Sequence, residues 1–114
     1  MTSAPWSNWP MVAEQTIAPD HPVFAGHFPA HPVVPGALLL DWACHSLGAG
    51  QSVALREARF PRSCGPGSRL VLRAEPGKEP SSSARRFAIT TEDAGTEVAV
   101  VTGTLGPLST AAGA

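Results

Sequence analysis

Between Gly26 and Trp42 the chain reads GHFPAHPVVPGALLLDW, and no other stretch forbids as much structure. Pro29, Pro32 and Pro35 recur at every third residue. Each fixes φ and removes a backbone donor. Each also pushes the residue before it (Phe28, His31, Val34) towards extended backbone. Neither a regular helix nor a central strand can run through them. After Pro35-Gly36 the pattern changes at once. The run ALLLDWACHSL predicts a helix from Gly36 to Leu47, with Pro35 at its start, where a missing N–H is harmless. Ala37, Leu38, Leu39, Leu40, Trp42, Ala43, Cys44 and Leu47 make that helix apolar nearly all round, which predicts a buried core helix. Asp41 breaks the pattern, and an unpaired charge there would be expensive to bury.

Three groups with chemistry in them lie close in sequence. His27 has an imidazole that titrates near neutrality. Asp41 has a carboxyl that desolvation would push up. Between them a helix N-terminus at Gly36 offers free N–H groups at the positive end of a dipole. Together they suit acid–base work beside an oxyanion. A blander reading accounts for the same residues: Asp41 pairs with His45 at i, i+4, and His27 is a loop residue bound to backbone.

The string GHFPAHPVVPGALLLDWA resembles the active-site segment of the β-hydroxyacyl-(acyl carrier protein) dehydratases. ARFPRSCGPGSRLVL, from Ala58 to Leu72, is similar to the strand–Pro-Gly–strand segment of the same family. The resemblance covers about two-thirds of the chain, and the LLLDWA run is most similar to the aryl-polyene-pathway branch. It implies a hot-dog fold, an antiparallel sheet wrapped around one long central helix. It implies roles as well: His27 the catalytic histidine, Asp41 the catalytic acid, Gly36 the glycine whose N–H polarises the thioester carbonyl, Val33 the carbonyl that orients the histidine. Ala30, His31 and Asp41 depart from the commonest family residues, Asp41 standing where most single-domain members have Glu.

The remainder of the chain fits an α+β domain. Its 114 residues suffice for one domain burying roughly 65% of its unfolded surface. The 12 Pro and 11 Gly favour many short elements over a bundle. Residues 1–10 read as a flexible lead-in, with Trp6 and Trp9 available to pack on a single domain over 11–107, and 108–114 as a disordered tail. Strands are predicted at Met11–Ala18, Val53–Phe60 and Arg69–Glu75. In the last, Leu70, Leu72 and Ala74 alternate with Arg69, Val71 and Arg73, a half-buried pattern. A hairpin is predicted from Arg85–Thr91 and Thr96–Leu105 about Asp93-Ala94-Gly95, and residues 77–83 (GKEPSSS) read as a flexible connection. Gly48 and Gly50 are suited to cap the helix.

No apolar run is long enough for a membrane span, and no signal peptide is evident. Two cysteines, Cys44 and Cys64, do not make a disulfide framework, so a cytoplasmic protein with free thiols is expected. His21, His27 and His31 lack any metal-ligand spacing, and no metal is expected. The Pro-x-x-Pro spacing could serve an aromatic groove, but it runs into a buried helix and is read as structural.

Charge is segregated along the chain. All eight Lys and Arg lie between Arg56 and Arg86, opposed there only by Glu57, Glu75 and Glu79. A basic face can steer an acidic partner, and Arg56, Arg59 and Arg62 are the candidates for binding acyl carrier protein. The competing reading is a solvated sheet face balanced by neighbouring acids. Nucleic acid is a poor fit, because no aromatic interleaving accompanies the charges.

The resemblance implies dehydration of (3R)-hydroxyacyl thioesters, with the substrate carried on phosphopantetheine and no cofactor of the protein's own. Phe28, Leu38, Leu39 and Trp42 are the candidates for lining an acyl tunnel. A homodimer or higher homo-oligomer, or a heterodimer with a hot-dog paralogue, is expected. A hot-dog thioesterase using Asp41 to activate water, and a non-catalytic subunit, are the alternatives.

Overall fold

Five strands and one long helix account for most of the residues that the computed structural model describes, namely 4–20, 34–48, 53–76 and 84–107. In chain order they are β1 (Met11–Thr16), α1 (Gly36–Gly48), β2 (Val53–Arg59), β3 (Arg69–Ala74), β4 (Arg85–Asp93) and β5 (Thr96–Pro107). The strands form one sheet in the order β1-β3-β4-β5-β2, antiparallel throughout, with α1 packed against it. The expected α+β pattern is what forms, and β1 and β2 are its two edges.

Side-chain alternation decides which face of the sheet meets the helix. Leu70, Leu72 and Ala74 on β3 are fully buried, as are Phe87 and Ile89 opposite them on β4. They pack with Leu39 and Ala43 of α1 into one apolar cluster. The β4–β5 connection is a two-residue turn in which Ala94 and Gly95 both have positive φ, 53° and 83°. That is the geometry whose twist matches a right-handed hairpin, and only the glycine adopts it without a steric cost.

One expectation is corrected: α1 is not buried all round. Leu39 and Ala43 are buried, whereas Ala37, Asp41 and His45, spaced four apart, form an exposed stripe. A single sheet covers only one side of a helix about 10 Å across, so the apolar residues flanking the buried row are left half-covered. Ahead of β1, Pro5–Asn8 form a 3-10 turn. Arg73 then donates from Nη1 to the Trp9 carbonyl at 2.9 Å, and the Arg86 guanidinium lies 5.2 Å from the centre of the Trp9 ring. Residues 77–83, Gly50 and the 108–114 tail lie outside the described residues.

The fold also undoes the segregation of charge. On the sheet's outer face Arg69 pairs with Glu14 at 2.8 Å, Arg73 with Glu97 at 2.7 Å and Arg86 with Glu75 at 3.2 Å. Glu14 and Glu97 come from outside the basic segment and are brought to it by strand pairing. The balanced sheet face is therefore the reading that holds for these three arginines. The Arg73 guanidinium, with help from the Thr90 hydroxyl, holds the Glu97 carboxyl below the usual carboxylate range against the opposing effect of partial burial.

A carboxyl held down in the folded state stabilises above its unfolded value, about 4.3, and loses that effect as the pH falls through the folded one. Replacing Glu97 with Gln should therefore lower the melting temperature by a constant amount near neutrality. The gap from wild type should close as the pH drops below about 4, as read by thermal melts across a pH series.

Candidate active site

The start of α1 is fixed from two sides. The Pro35 carbonyl accepts from the Leu38 and Leu39 N–H groups, at 3.1 and 3.4 Å, and so closes the first turn. Just upstream the Val34 N–H donates to the Cys64 carbonyl at 2.8 Å, which ties the helix start to the β2–β3 loop. Gly36, the first helical residue, has an amide with no acceptor within the helix and sits at the positive dipole end.

Over this point lies Phe60. A Cβ built on Gly36 would stand 2.6 Å from Phe60 Cε1 and 3.0 Å from Cζ, so only glycine lets the ring approach so closely. Beside the ring opens a cavity of about 340 Å³, lined by Val34, Gly36, Leu39, Phe60, Arg62, Ser63 and Val100. It has a direction. Phe60, Arg62 and Ser63 are exposed at its mouth, whereas Leu39 and Val100 are 2% and 1% exposed and make a dry aliphatic floor. An open end with a cation and the first residue of the helix, and a closed apolar end, suit a molecule with a polar head and a hydrocarbon tail.

Asp41 does not line this cavity. At 3.6 residues per turn it projects about 140° around the helix from Gly36 and about 160° from Leu39. Its side chain is 68% exposed, with Oδ1 3.4 Å from His45 Nε2. The i, i+4 pairing weighed from sequence is thus present, and the expectation of a carboxyl buried in its own helix is corrected. Asp41 has solvent and His45 around it because the sheet lies on the other side of α1.

The other sequence candidates divide. Leu39 lines the cavity, while Leu38 and Trp42 are half-buried against the apolar cluster and do not. His27, Phe28 and Val33 lie outside the described residues. Arg62 stands at the cavity mouth, paired with Asp93 of the β4–β5 turn at 3.2 Å. Arg59 pairs with Glu57 at 3.0 Å, and both of these pairs are exposed. Exposed pairs of this kind contribute at most about 1 kcal/mol, so either arginine can exchange its acid for a stronger anion. The two cysteines are free thiols. Cys64 is buried and burial pushes its thiol up; the same effect, followed by the charge of Asp41, pushes up Cys44.

Sequence reasoning passed over Phe60, Ser63 and Val100. For Val100 a signal exists in the run Val98-Ala99-Val100-Val101, where apolar residues stop alternating. Phe60 and Ser63 carry none, since their place depends on the tie between Val34 and Cys64.

Solved structures with the same architecture define the class. One is the dehydratase heterocomplex ApeI:P from Xenorhabdus doucetiae, which superposes with a TM-score of 0.64 at 18% identity over 86% of this chain and 96% of that one. Another is the hexameric thioesterase y2039 from Yersinia pestis, at 0.59 and 14% over 96% and 94%. The fold is the hot-dog fold. A family model described as ApeI-like, ApeI dehydratase, matches residues 7–103, and the chain belongs to that family. Among curated relatives, the 3-hydroxyacyl-[acyl-carrier-protein] dehydratase FabZ of Aeromonas hydrophila is 33% identical over 93 residues, covering 69% of this chain and 61% of its own. The FabZ of Ralstonia nicotianae is 39% identical over 71 residues, covering 49% and 43%. The chain thus spans about three-fifths or less of the length of these relatives.

The seat of Phe60 on Gly36 can be tested by a double-mutant cycle on stability. With the phenyl ring gone, the three atoms that an added methyl at position 36 would meet most closely are removed. Gly36→Ala should therefore be better tolerated in a Phe60→Ala background than in wild type, with a coupling of about 0.5–3 kcal/mol. Simple additivity in denaturant titrations would mean that the ring does not rest there.

Proposed function

We propose that the chain removes water from a (3R)-hydroxyacyl thioester carried on acyl carrier protein, giving the trans-2-enoyl thioester, in fatty-acid, polyketide or aryl-polyene biosynthesis. One observation carries the reading. Gly36, the first residue of α1, lines a cavity with a cationic mouth and an aliphatic floor, within the segment that also bears His27 and Asp41.

In the proposed reaction neutral His27 takes the Cα proton, which the neighbouring thioester acidifies. The electron pair forms the Cα–Cβ double bond as the Cβ–O bond breaks. The Gly36 N–H, favoured by the helix dipole, holds the negative charge that gathers on the thioester oxygen. Asp41 gives a proton to the departing hydroxyl, which leaves as water, and the proton on His27 returns to Asp41 through solvent. No metal or nucleotide has a step in it. The Val33 carbonyl has the task of orienting His27. Arg62 at the mouth is placed for the anionic end of the phosphopantetheine arm, and Arg56 and Arg59 are proposed to meet the acidic carrier surface.

Asp41 faces away from its own Gly36, so the acid for each cavity has to come from a second chain. Pairing is further supported by the edges of the sheet. Every large apolar side chain that is exposed among the described residues (Met11, Val12, Leu55, Phe60) lies on β1, on β2 or just beyond it, and apolar edges invite pairing. The β2 edge leads straight into Phe60, Arg62 and Ser63. A partner added there, a second copy or a hot-dog paralogue, would reach the cavity mouth and cover the half-buried side of α1.

Purified protein incubated with a 3-hydroxyacyl carrier protein should produce the enoyl species, one water lighter by mass spectrometry. Release of the free acid would mean hydrolysis instead, and an unchanged substrate would mean a passive subunit. His27→Ala should keep the fold and reduce turnover by about 10²- to 10⁴-fold, as loss of a general base does. His27→Ala and Asp41→Asn chains, each inactive alone, should recover about a quarter of wild-type activity when refolded together, by the symmetry count for a two-fold dimer. No recovery despite demonstrated mixing would refute the shared site.

A further inference from the structure

We propose that Val100 determines how long an acyl chain the cavity admits. The inference rests on the dehydratase reading of the same cavity and adds to it the residue that sets specificity. In a regular strand neighbouring side chains point to opposite faces, so Val100 and Val101 should not share the core. Both do, at 1% and 0% exposure. The cause lies in the pairing of β4 with β5, where Ile89 is opposite Val101 but Thr90 is opposite Ala99. Val100 is the extra residue of a β-bulge, a device that re-aims a side chain. Val101 remains opposite Ile89 in the core, and Val100 is turned to the floor of the cavity beside Leu39.

The two floor residues are not equivalent. Leu39 belongs to the buried row of α1 that holds the helix on the sheet. Val100 sits where the ladder is already interrupted, so its size can change with less disturbance to the pairing around it. With the polar head of the substrate fixed at the mouth by Gly36, the far end of the acyl chain meets Val100. Added volume there must shorten the chain that fits, and removed volume must lengthen it. The cavity of about 340 Å³ is near the lower end of ligand pockets, roughly 300–1,000 Å³, so a change of one or two methyl groups is a meaningful fraction of the space.

The test compares kcat/KM for 3-hydroxybutyryl and 3-hydroxydecanoyl groups on one carrier protein, using Val100→Ala, Val100→Ile and Val100→Leu in the full-length assembled protein. One methylene in an apolar pocket is worth about 10- to 200-fold in discrimination. The decanoyl-to-butyryl ratio should therefore rise about tenfold or more in Val100→Ala and fall by a similar factor in Val100→Leu, with Val100→Ile between Leu and wild type. If Val100→Ala does not fold, the two larger variants carry the test, because they keep the core filled. A wild type that dehydrates both substrates, with variants that change both by the same factor, overturns the role of Val100 and leaves the dehydratase reading standing. A wild type that dehydrates neither removes the reading itself.

Discussion

One antiparallel sheet can cover only one side of one helix. Nearly everything distinctive about this protein follows from that limit. α1 is apolar over most of its surface, yet among the described residues only Leu39, Ala43 and Gly48 are buried and the apolar residues beside them are half-covered. The stripe through Ala37, Asp41 and His45 is left to solvent or to another molecule. A helix so apolar would be a poor surface helix in an isolated domain. Its composition makes sense once a second chain is brought against it, the arrangement proposed above to bring a carboxyl to the cavity.

The same limit explains what sequence could and could not reveal. The strands were legible from short apolar runs between turn residues, although β3 and β4 are buried at consecutive positions rather than alternately, and the hairpin because Asp93-Ala94-Gly95 offers the backbone a tight turn. The helix was legible from Pro35-Gly36 and the apolar run behind it. Burial of that helix was misjudged, because hydrophobicity states that a surface will be covered and not by which chain. Asp41 shows the error in one residue: its role in the proposed chemistry comes from a resemblance between motifs, while its surroundings in the protomer are water and His45. Phe60 was invisible for a different reason. Its position is set by a single loop-to-helix hydrogen bond that leaves no periodic trace in the sequence, whereas the bulge at Val100 leaves only a break in the alternation.

Charge gives a second instance of linear order erased by folding. The cations occupy one continuous segment, which suggests a basic face. Antiparallel pairing then brings Glu14 against Arg69 and Glu97 against Arg73, and the turn after β4 brings Asp93 to Arg62. The outcome is not uniform. Arg73 and Glu97 are largely covered and hold each other through two hydrogen bonds, so that pair belongs to the architecture of the sheet. Arg59 and Arg62 keep their acids only at the exposed rim, where an ion pair is worth little and is screened by salt. The basic surface proposed for a carrier protein therefore narrows from a whole segment to a few exposed cations such as Arg59 and Arg62.

The cavity itself depends on three departures from regularity that have to occur together. The Val34 to Cys64 hydrogen bond holds the β2–β3 loop against the helix start. Gly36, with no side chain, lets the Phe60 ring pack where a Cβ would otherwise stand. The bulge in β5 turns Val100 out of its expected face to make the floor. Remove the first and the mouth has no wall; add a methyl at the second and the ring must move. Regularise the third and Val100 leaves the floor, which deepens the cavity without touching its chemistry. A site whose polar end is set by a helix terminus and whose apolar end is set by a bulge on a different element can change its substrate by altering one without the other. In the proposed dehydratase, bond-making belongs to the segment bearing His27 and to α1, while β5 is proposed to set the size of what is admitted.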